Sequence, residues 1–433
     1  MTEQPVIVQK ISWSDLCPWT SIFKTLPIAA SVTVLAFALL GVVLTPMGWM
    51  LSETVCISNV ERTNPKLMEI VEVNRSPYRG VFLSTKQNTD SINLMGLHLS
   101  GPRNVFKQLV RPFQYMFEGS LGFRGFFYLL LGCVWTLFVW SFVGLGISRV
   151  CLLKLTRNEQ TGLDDAFEFA IEKWMTAASA VGIPLLAVAA LCIPTFLIGL
   201  LMGFNFGVLI AGILWFVVLA LATAMGLILL GLMFGFPLMV SSVGCESQNA
   251  FDAMTRAYAY TFQRPVHYLF YCLVAIVFGG LCWMVVAALT DGIVDLSFWA
   301  SSWGANVSSD RIDVIRGLTT DGATAEAVAQ DSKTLAAGRT MIELWNSLFR
   351  TLSAAFIYGL FWCMASAIYL LLRKDADETE MDEIYIVDEK RTYELPPLQS
   401  DENGIPQVQQ PRPVEEQADD TTGDNEDTGS SVT

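Results

Sequence analysis

The residues of this chain best placed to act on one another are charged, and they flank long apolar runs. Arg149, Arg157, Arg256 and Arg264 stand in short segments between such runs, and an acidic stretch follows the last one, with Asp377, Glu378, Glu380, Asp382 and Glu383. Opposite charges on one face attract, so a fold-back that docks these acids on these arginines is the first chemistry the pattern offers. Ile384, Tyr385, Ile386 and Val387 follow directly and are too apolar for a free tail. The other reading keeps the arginines as orienting charges beside an independent acidic tail.

Reactive chemistry is harder to assemble. There are two histidines, His98 and His267, and the second, beside Arg264 and Tyr268, reads as interfacial. No His/Cys/carboxylate group has metal-ligand spacing, no Gly-rich loop opens a helix after a strand, and there is no nucleophile elbow. The sequence offers no catalytic, cofactor-binding or metal-binding residue, and the chain reads as a non-enzyme. Asp164-Asp165 reads as a solvated helix face. Cys56 is the one cysteine expected on the outer side of the membrane, so no intramolecular disulfide is expected there; the others, in spans or at the cytoplasmic face, read as small core residues.

The elements that must position these charges follow from composition. Of 433 residues, 53% are hydrophobic and 16% charged, below the roughly 25% of a soluble domain. The net charge of −14 belongs to the end of the chain: residues 374–433 hold 18 acids and 4 bases, while 1–373 hold 23 of each. A balanced body excludes a basic nucleic-acid binder. Five stretches lack Asp, Glu, Lys and Arg, with lengths of 28, 24, 72, 26 and 22 residues. A spanning helix needs about 20 apolar residues. The 72-residue run must fold back, and Gly203-Phe204-Asn205-Phe206-Gly207 is its best turn.

The expectation is an all-α integral membrane protein, a bundle of about six transmembrane helices with amphipathic interfacial helices and a disordered acidic C-terminal tail. The spans fall at about 26–51, 125–148, 174–202, 207–240, 266–290 and 351–372, with outer loops at 52–123 and 291–350, an N-terminal segment at 1–25 and the tail at 374–433. A seven-span reading, in which the long run crosses three times, competes. Pro184, Pro194 and Pro237 predict kinks. The first run is too long for a cleavable signal peptide. Bases cluster in the loops after the second and fourth spans and at the end of the sixth, so that side is expected to be cytoplasmic, with both termini on it.

Between the spans, Val105-Phe106, Leu109-Val110, Phe113 and Met116-Phe117 recur at helical spacing, with Arg103, Lys107 and Arg111 between them. This segment either lies on the outer membrane surface or packs on the bundle. Two cytoplasmic segments, Asp165-Ala166-Phe167-Glu168 and Asn249-Ala250-Phe251-Asp252, each open an amphipathic helix. Leu163, Ala166, Phe167, Ala170, Ile171 and Trp174 form the first stripe, with Thr161 as its N-cap; Ala250, Phe251, Met254, Ala257 and Tyr258 form the second. Gly199, Gly203 and Gly207, and Gly231 and Gly235, are spaced for close helix approach. Trp135, Trp140 and Trp283 read as bundle or lipid-facing aromatics.

Four segments together carry a family resemblance: Ile147-Ser148-Arg149 with Leu155-Thr156-Arg157-Asn158-Glu159; Ala250-Phe251-Asp252-Ala253 with Tyr258-Ala259-Tyr260-Thr261-Phe262-Gln263-Arg264-Pro265; Phe361-Trp362 with Ala367-Ile368-Tyr369-Leu370-Leu371-Leu372-Arg373; and Asp377 to Tyr385 with Leu395-Pro396-Pro397-Leu398. In this order, from about Phe113 to Leu398, the chain resembles a family of multi-span membrane proteins of planctomycete-type bacteria with no established activity. The resemblance implies a bacterial inner membrane and supplies no mechanism. The functional expectation is a non-enzymatic scaffold or interaction protein of the cell envelope. Its partners would be the lipid bilayer and a membrane or cytoplasmic protein reached through the tail, with no nucleic acid and no cofactor. The alternative is a passive transporter or channel with a Pro-broken third span.

Overall fold

The computed structural model describes residues 17–57, 65–75, 92–94, 97–99, 101–116, 122–305, 333–377, 399–400 and 406–407. Contacts divide the chain into two units, residues 1–384 and 385–433. In the second unit β3 (Gln399–Ser400) pairs antiparallel with β4 (Pro406–Gln407). The expected docking stretch 381–398, the acids Glu378, Glu380, Asp382 and Glu383, and the expected disorder of the far tail lie outside the described residues.

Among the described residues the first unit is helical apart from one short strand pair. A 3-10 turn (Pro18–Lys24) leads into α1 (Thr25–Ala29), α2 (Val32–Cys56) and α3 (Pro65–Arg75). The antiparallel pair β1 (Ile92–Leu94) and β2 (Leu97–Leu99) precedes α4 (Pro102–Met116). Then follow α5 (Phe123–Arg157), α6 (Leu163–Leu201), α7 (Asn205–Ile213), α8 (Trp215–Glu246), α9 (Ala250–Gln263), α10 (Pro265–Ala305) and α11 (Lys333–Asp377). Six of these, α2, α5, α6, α8, α10 and α11, are long and apolar enough to cross a membrane. Helices suit that medium because each backbone donor finds its acceptor inside the segment.

The 72-residue run crosses twice, which removes the seven-span reading. It reverses between Leu201 and Asn205, and a β-carbon on Gly207 would fall 1.7 Å from the Leu201 carbonyl oxygen, so only glycine fits. The helical return is broken once, at Leu214, between α7 and α8. Pro184, Pro194 and Pro237 lie inside α6 and α8, and both helices run through them.

Several helices extend well past the uncharged runs. The expected outer loop 291–350 is in large part helix, because α10 continues to Ala305 and α11 begins at Lys333. These extensions are tied near the membrane edge: Thr290 and Ser353 hydroxyls lie 2.8 Å apart, and Arg350 pairs with Asp291 at 3.4 Å. We call this end of the bundle the loop face, and the end reached by Asp377 the tail face.

The core is built around α11, which packs on α1, α2, α4, α5, α8, α9 and α10. Small residues set the approach distances. A β-carbon on Gly359 would lie 2.9 Å from Val34, and one on Gly144 2.9 Å from the Trp362 ring. Trp140 stacks on Tyr358 with ring centres 4.7 Å apart. Helices α2 and α5 interlock by a reciprocal exchange, Trp135 filling the space over Gly48 and Trp49 the space over Gly132. The Trp135 indole N–H donates to the Leu44 carbonyl at 2.9 Å.

Helix α4 packs on the bundle, the second of its two readings, and does not lie on the outer surface. It packs on α5, α10 and α11, and Pro102, Asn104, Val105 and Pro112 are buried. Gly101 has a φ of +95° and turns the chain against Trp283. Pro102 fills the space over Gly279, which lies near the centre of the uncharged run 265–290. The helix therefore starts near mid-membrane and climbs roughly 22 Å toward the loop face, where Phe113, Tyr115 and Met116 join a cluster around Trp49, Leu67 and Tyr128. The Tyr358 hydroxyl donates to Gln108 Oε1 at 2.6 Å, satisfying a polar side chain at membrane depth.

Candidate functional site

At the tail face, polar side chains converge where four helices end or begin. Glu246 closes α8, and its carboxylate receives Arg256 of α9 at 2.7 Å and Arg373 of α11 at 2.9 Å. The Tyr369 hydroxyl donates to it at 3.2 Å, and Gln248 also donates to it. Both Glu246 and Arg373 are nearly out of solvent. Such a pair holds because each charge meets the other and further donors share the carboxylate.

Of the four arginines singled out in the sequence, two meet acids of α11's last turn. Arg256 lies 3.8 Å from Asp377 and Arg264 3.8 Å from Asp375, and the Tyr260 hydroxyl donates to Asp377. Burial, with the neighbouring Asp377 carboxylate, pushes the Tyr260 phenol well above its usual range. Arg149 is used differently. It is buried, donates to the Gly244 carbonyl at 3.1 Å and lies 4.6 Å over the Phe169 ring, so it joins α5, α6 and α8. Arg157 closes α5 and makes no ion pair among the described residues.

The two amphipathic segments differ from expectation in part. The first is continuous with the third span in α6; its N-cap is Gly162 rather than Thr161, and Leu163, Phe167 and Ile171 are exposed while Ala166, Phe169 and Ala170 are buried. The second is a separate helix, α9, which buries Ala253, Ala257, Tyr260 and Thr261 and leaves Phe251 exposed. The inward stripe is shifted because α9 packs along α8 at Gly231, where a β-carbon would fall 2.1 Å from Tyr258. The Tyr258 hydroxyl donates to the Ile228 carbonyl at 2.7 Å, and burial raises its pKa to about 12. Gly231 and Gly235 thus serve packing within the chain, while no described atom comes within 4 Å of a β-carbon on Gly199.

The second candidate site was not singled out by sequence. A cavity of about 290 Å³ lies between α4 and α5 on one side and the α6–α8 hairpin on the other, with Val181, Leu185, Leu232 and Phe236 in its wall. Trp140, Ser141 and Trp362 also line it, and their polar side-chain atoms are buried without a hydrogen-bond partner. The sequence signal was an indole and a hydroxyl side by side in the uncharged run 125–148, but only the neighbouring helices show that the space beside them is left unfilled.

Among the described residues no group of three His, Cys, Asp or Glu could hold a metal ion. Comparison of the chain with protein-family models, with curated proteins and with solved structures finds no match. The assignment of this chain as a multi-pass membrane protein therefore rests on its six apolar helices.

Proposed function

We propose that this chain is a non-enzymatic protein of a bacterial inner membrane, a scaffold or interaction protein of the cell envelope that presents its acidic tail to a partner. The observation that carries this reading is the continuity of α11, which runs from the bundle's centre through the tail-face cluster to Asp377. A tail that leaves from so fixed a root has a defined starting position on that face. Arg149, Lys154, Arg157, Arg256, Arg264, Arg373 and Lys374 border the same face, which supports a cytoplasmic tail under the positive-inside rule. The resemblance to the planctomycete-type family supports the membrane.

The test is site-specific photo-crosslinking from Tyr385 and Tyr393 in native membranes. A discrete protein adduct that is lost when Arg256→Ala and Arg264→Ala loosen the root supports the proposal. Absence of any adduct, or adducts unaffected by the root, refutes it. The second reading, a passive transporter or channel, draws on one observation, the cavity walled in part by Val181 and Leu185 of the third span. Its wall is mostly apolar, which suits a hydrated pathway poorly. Solute flux through the protein in liposomes would favour that reading over the first.

A further inference from the structure

The loop-face ends of three helices carry exposed tryptophans. Trp215 opens α8, Trp299 and Trp303 stand in the extension of α10, and Trp345 stands in the first part of α11; all four are between 45% and 75% exposed. Counted along the helices from the Glu246–Arg373 pair, Trp215 lies 31 residues away and Trp345 lies 28, roughly 46 and 42 Å. A bilayer with its headgroups is about as thick, 40–45 Å. The Asp291–Arg350 pair ties α10 to α11 at one level, and Trp299 and Trp303 follow Asp291 by 8 and 12 residues, roughly 12 and 18 Å along the helix. Tilts within the usual range of about 0–40° set all four at the level of the loop-face headgroups. Tryptophan collects at that level in membrane proteins because its ring is apolar and its N–H seeks a partner.

The surface around these tryptophans suits lipid better than water. On α10, Val285, Leu289, Ile293, Leu296, Trp299 and Trp303 are exposed and recur every three or four residues, so one apolar stripe runs from the span into the extension without a break. The opposite side of the helix holds Asp291, which meets Arg350, and buried Val294, so the stripe faces away from the bundle. Between Asp291 and Trp303 the extension has one further charged residue, Asp295. Its three serines bond within the helix: Ser297 donates to the Ile293 carbonyl at 2.8 Å, Ser301 to the Ser297 carbonyl at 2.5 Å and Ser302 to the Trp299 carbonyl at 2.6 Å. Donors satisfied inside the segment do not need water. On α11, Met341, Trp345, Leu348 and Leu352 form a second exposed stripe that also enters the span, while Arg339 and Glu343 pair with each other at 2.9 Å. Both stripes continue the lipid-facing surface past the uncharged runs.

We propose that the extensions of α10 and α11 lie in the phospholipid headgroup layer of the loop-face leaflet, where Trp215, Trp299, Trp303 and Trp345 form an aromatic belt that sets the depth of the bundle. The partner of this apolar face is lipid. The segments from Asp291 to Trp303 and from Met341 to Arg350 then belong to the membrane domain and not to an aqueous loop.

The experiment uses the full chain with its nine cysteines replaced, reconstituted alone in phospholipid vesicles and spin-labelled at one site. Ala300→Cys places the label on the exposed side of α10 between the two tryptophans. Glu159→Cys, exposed just after α5, and Val285→Cys, exposed on the span, give the water and lipid references. Collision with a water-soluble nickel chelate should be several-fold lower at position 300 than at position 159, and collision with oxygen should approach that at position 285. Nickel access equal to that at position 159 overturns the proposal, since the stripe would then stand in water as a face for a protein. Low access to both probes also overturns it, because the label would be held in a contact between two copies. A second measurement needs no label: quenching of the intact protein's fluorescence by lipids brominated near the headgroup should fall when Trp299→Phe and Trp303→Phe are combined. Quenching that stays unchanged removes these two tryptophans from the belt and overturns the proposal on its own.

Discussion

Helices α8 and α11 are both long, apolar and uncharged through the membrane, yet they meet opposite surroundings. Every residue in the most apolar window of α11 is buried, against 11% in α8 and 17% in α6. The difference within α8 is sharper still. Its tail-face half, from Leu232 to Cys245, is packed among α5, α9 and α11, whereas Trp215, Phe216, Leu219, Leu227 and Leu230 in its other half are exposed. One sequence thus builds two kinds of membrane helix, an axle held by protein and a hairpin held by lipid. Apolarity alone does not separate them, because lipid tails are as apolar as leucine. Small residues and polar partners do: Gly235, Ser241 and Ser242 fall in the packed half of α8, and Gly231 and Glu246 border it at its two ends.

The contrast can be broken most severely at the tail-face cluster. Glu246→Gln leaves Arg373 without its counter-charge, and breaking a buried pair costs about 3–5 kcal/mol. We expect a large fall in thermal stability in detergent, partly restored by adding Arg373→Met. Gly132→Ala would drive a methyl group into Trp49, which sits 2.0 Å from the required position. Overpacking of this kind costs roughly 1–3 kcal/mol, read in the same assay, and Gly48→Ala against Trp135 should match it.

Alkali offers a gentler probe of the packed half. The folded protein holds the Tyr258 phenol up to about 12, while the unfolded chain ionises near the ordinary value of 10. The unfolded state therefore loses its proton first. The contribution is complete below about pH 10 and declines between there and about pH 12. Tyr258→Phe should flatten that part of the stability profile. At the other extreme, Leu197→Ala and Leu209→Ala on the hairpin remove exposed side chains, and each should change stability by no more than about 0.5 kcal/mol. A loss of several times that would mean the hairpin is packed against something.

The spans were legible because five uncharged runs leave few alternatives, and the reversal near Gly203–Gly207 was legible from its turn residues. The place of α4 was not. Its apolar and basic residues alternate as they would on a membrane surface, and its depth is decided by Gly279 and Trp283, 177 or more positions from Pro102. Arg149 shows the same limit. Its charge and position match those of Arg256, and only the Phe169 ring and the Gly244 carbonyl beside it turn it inward. Glu246 carries the tail-face cluster but stood out in sequence only as the end of an apolar run.

The most direct test of α11 as the bundle's axle is a disulfide between α8 and α11. The Ser241 and Ser366 hydroxyl oxygens lie 3.3 Å apart, both fully buried, on helices joined by a long stretch of chain. With the nine native cysteines replaced, Ser241→Cys and Ser366→Cys should be cross-linked in high yield by a membrane-permeant oxidant in native membranes. Failure to form that bond, with both cysteines shown to be present and reduced, would contradict the packing of α8 on α11 from which the tail-face cluster and its fixed tail root follow.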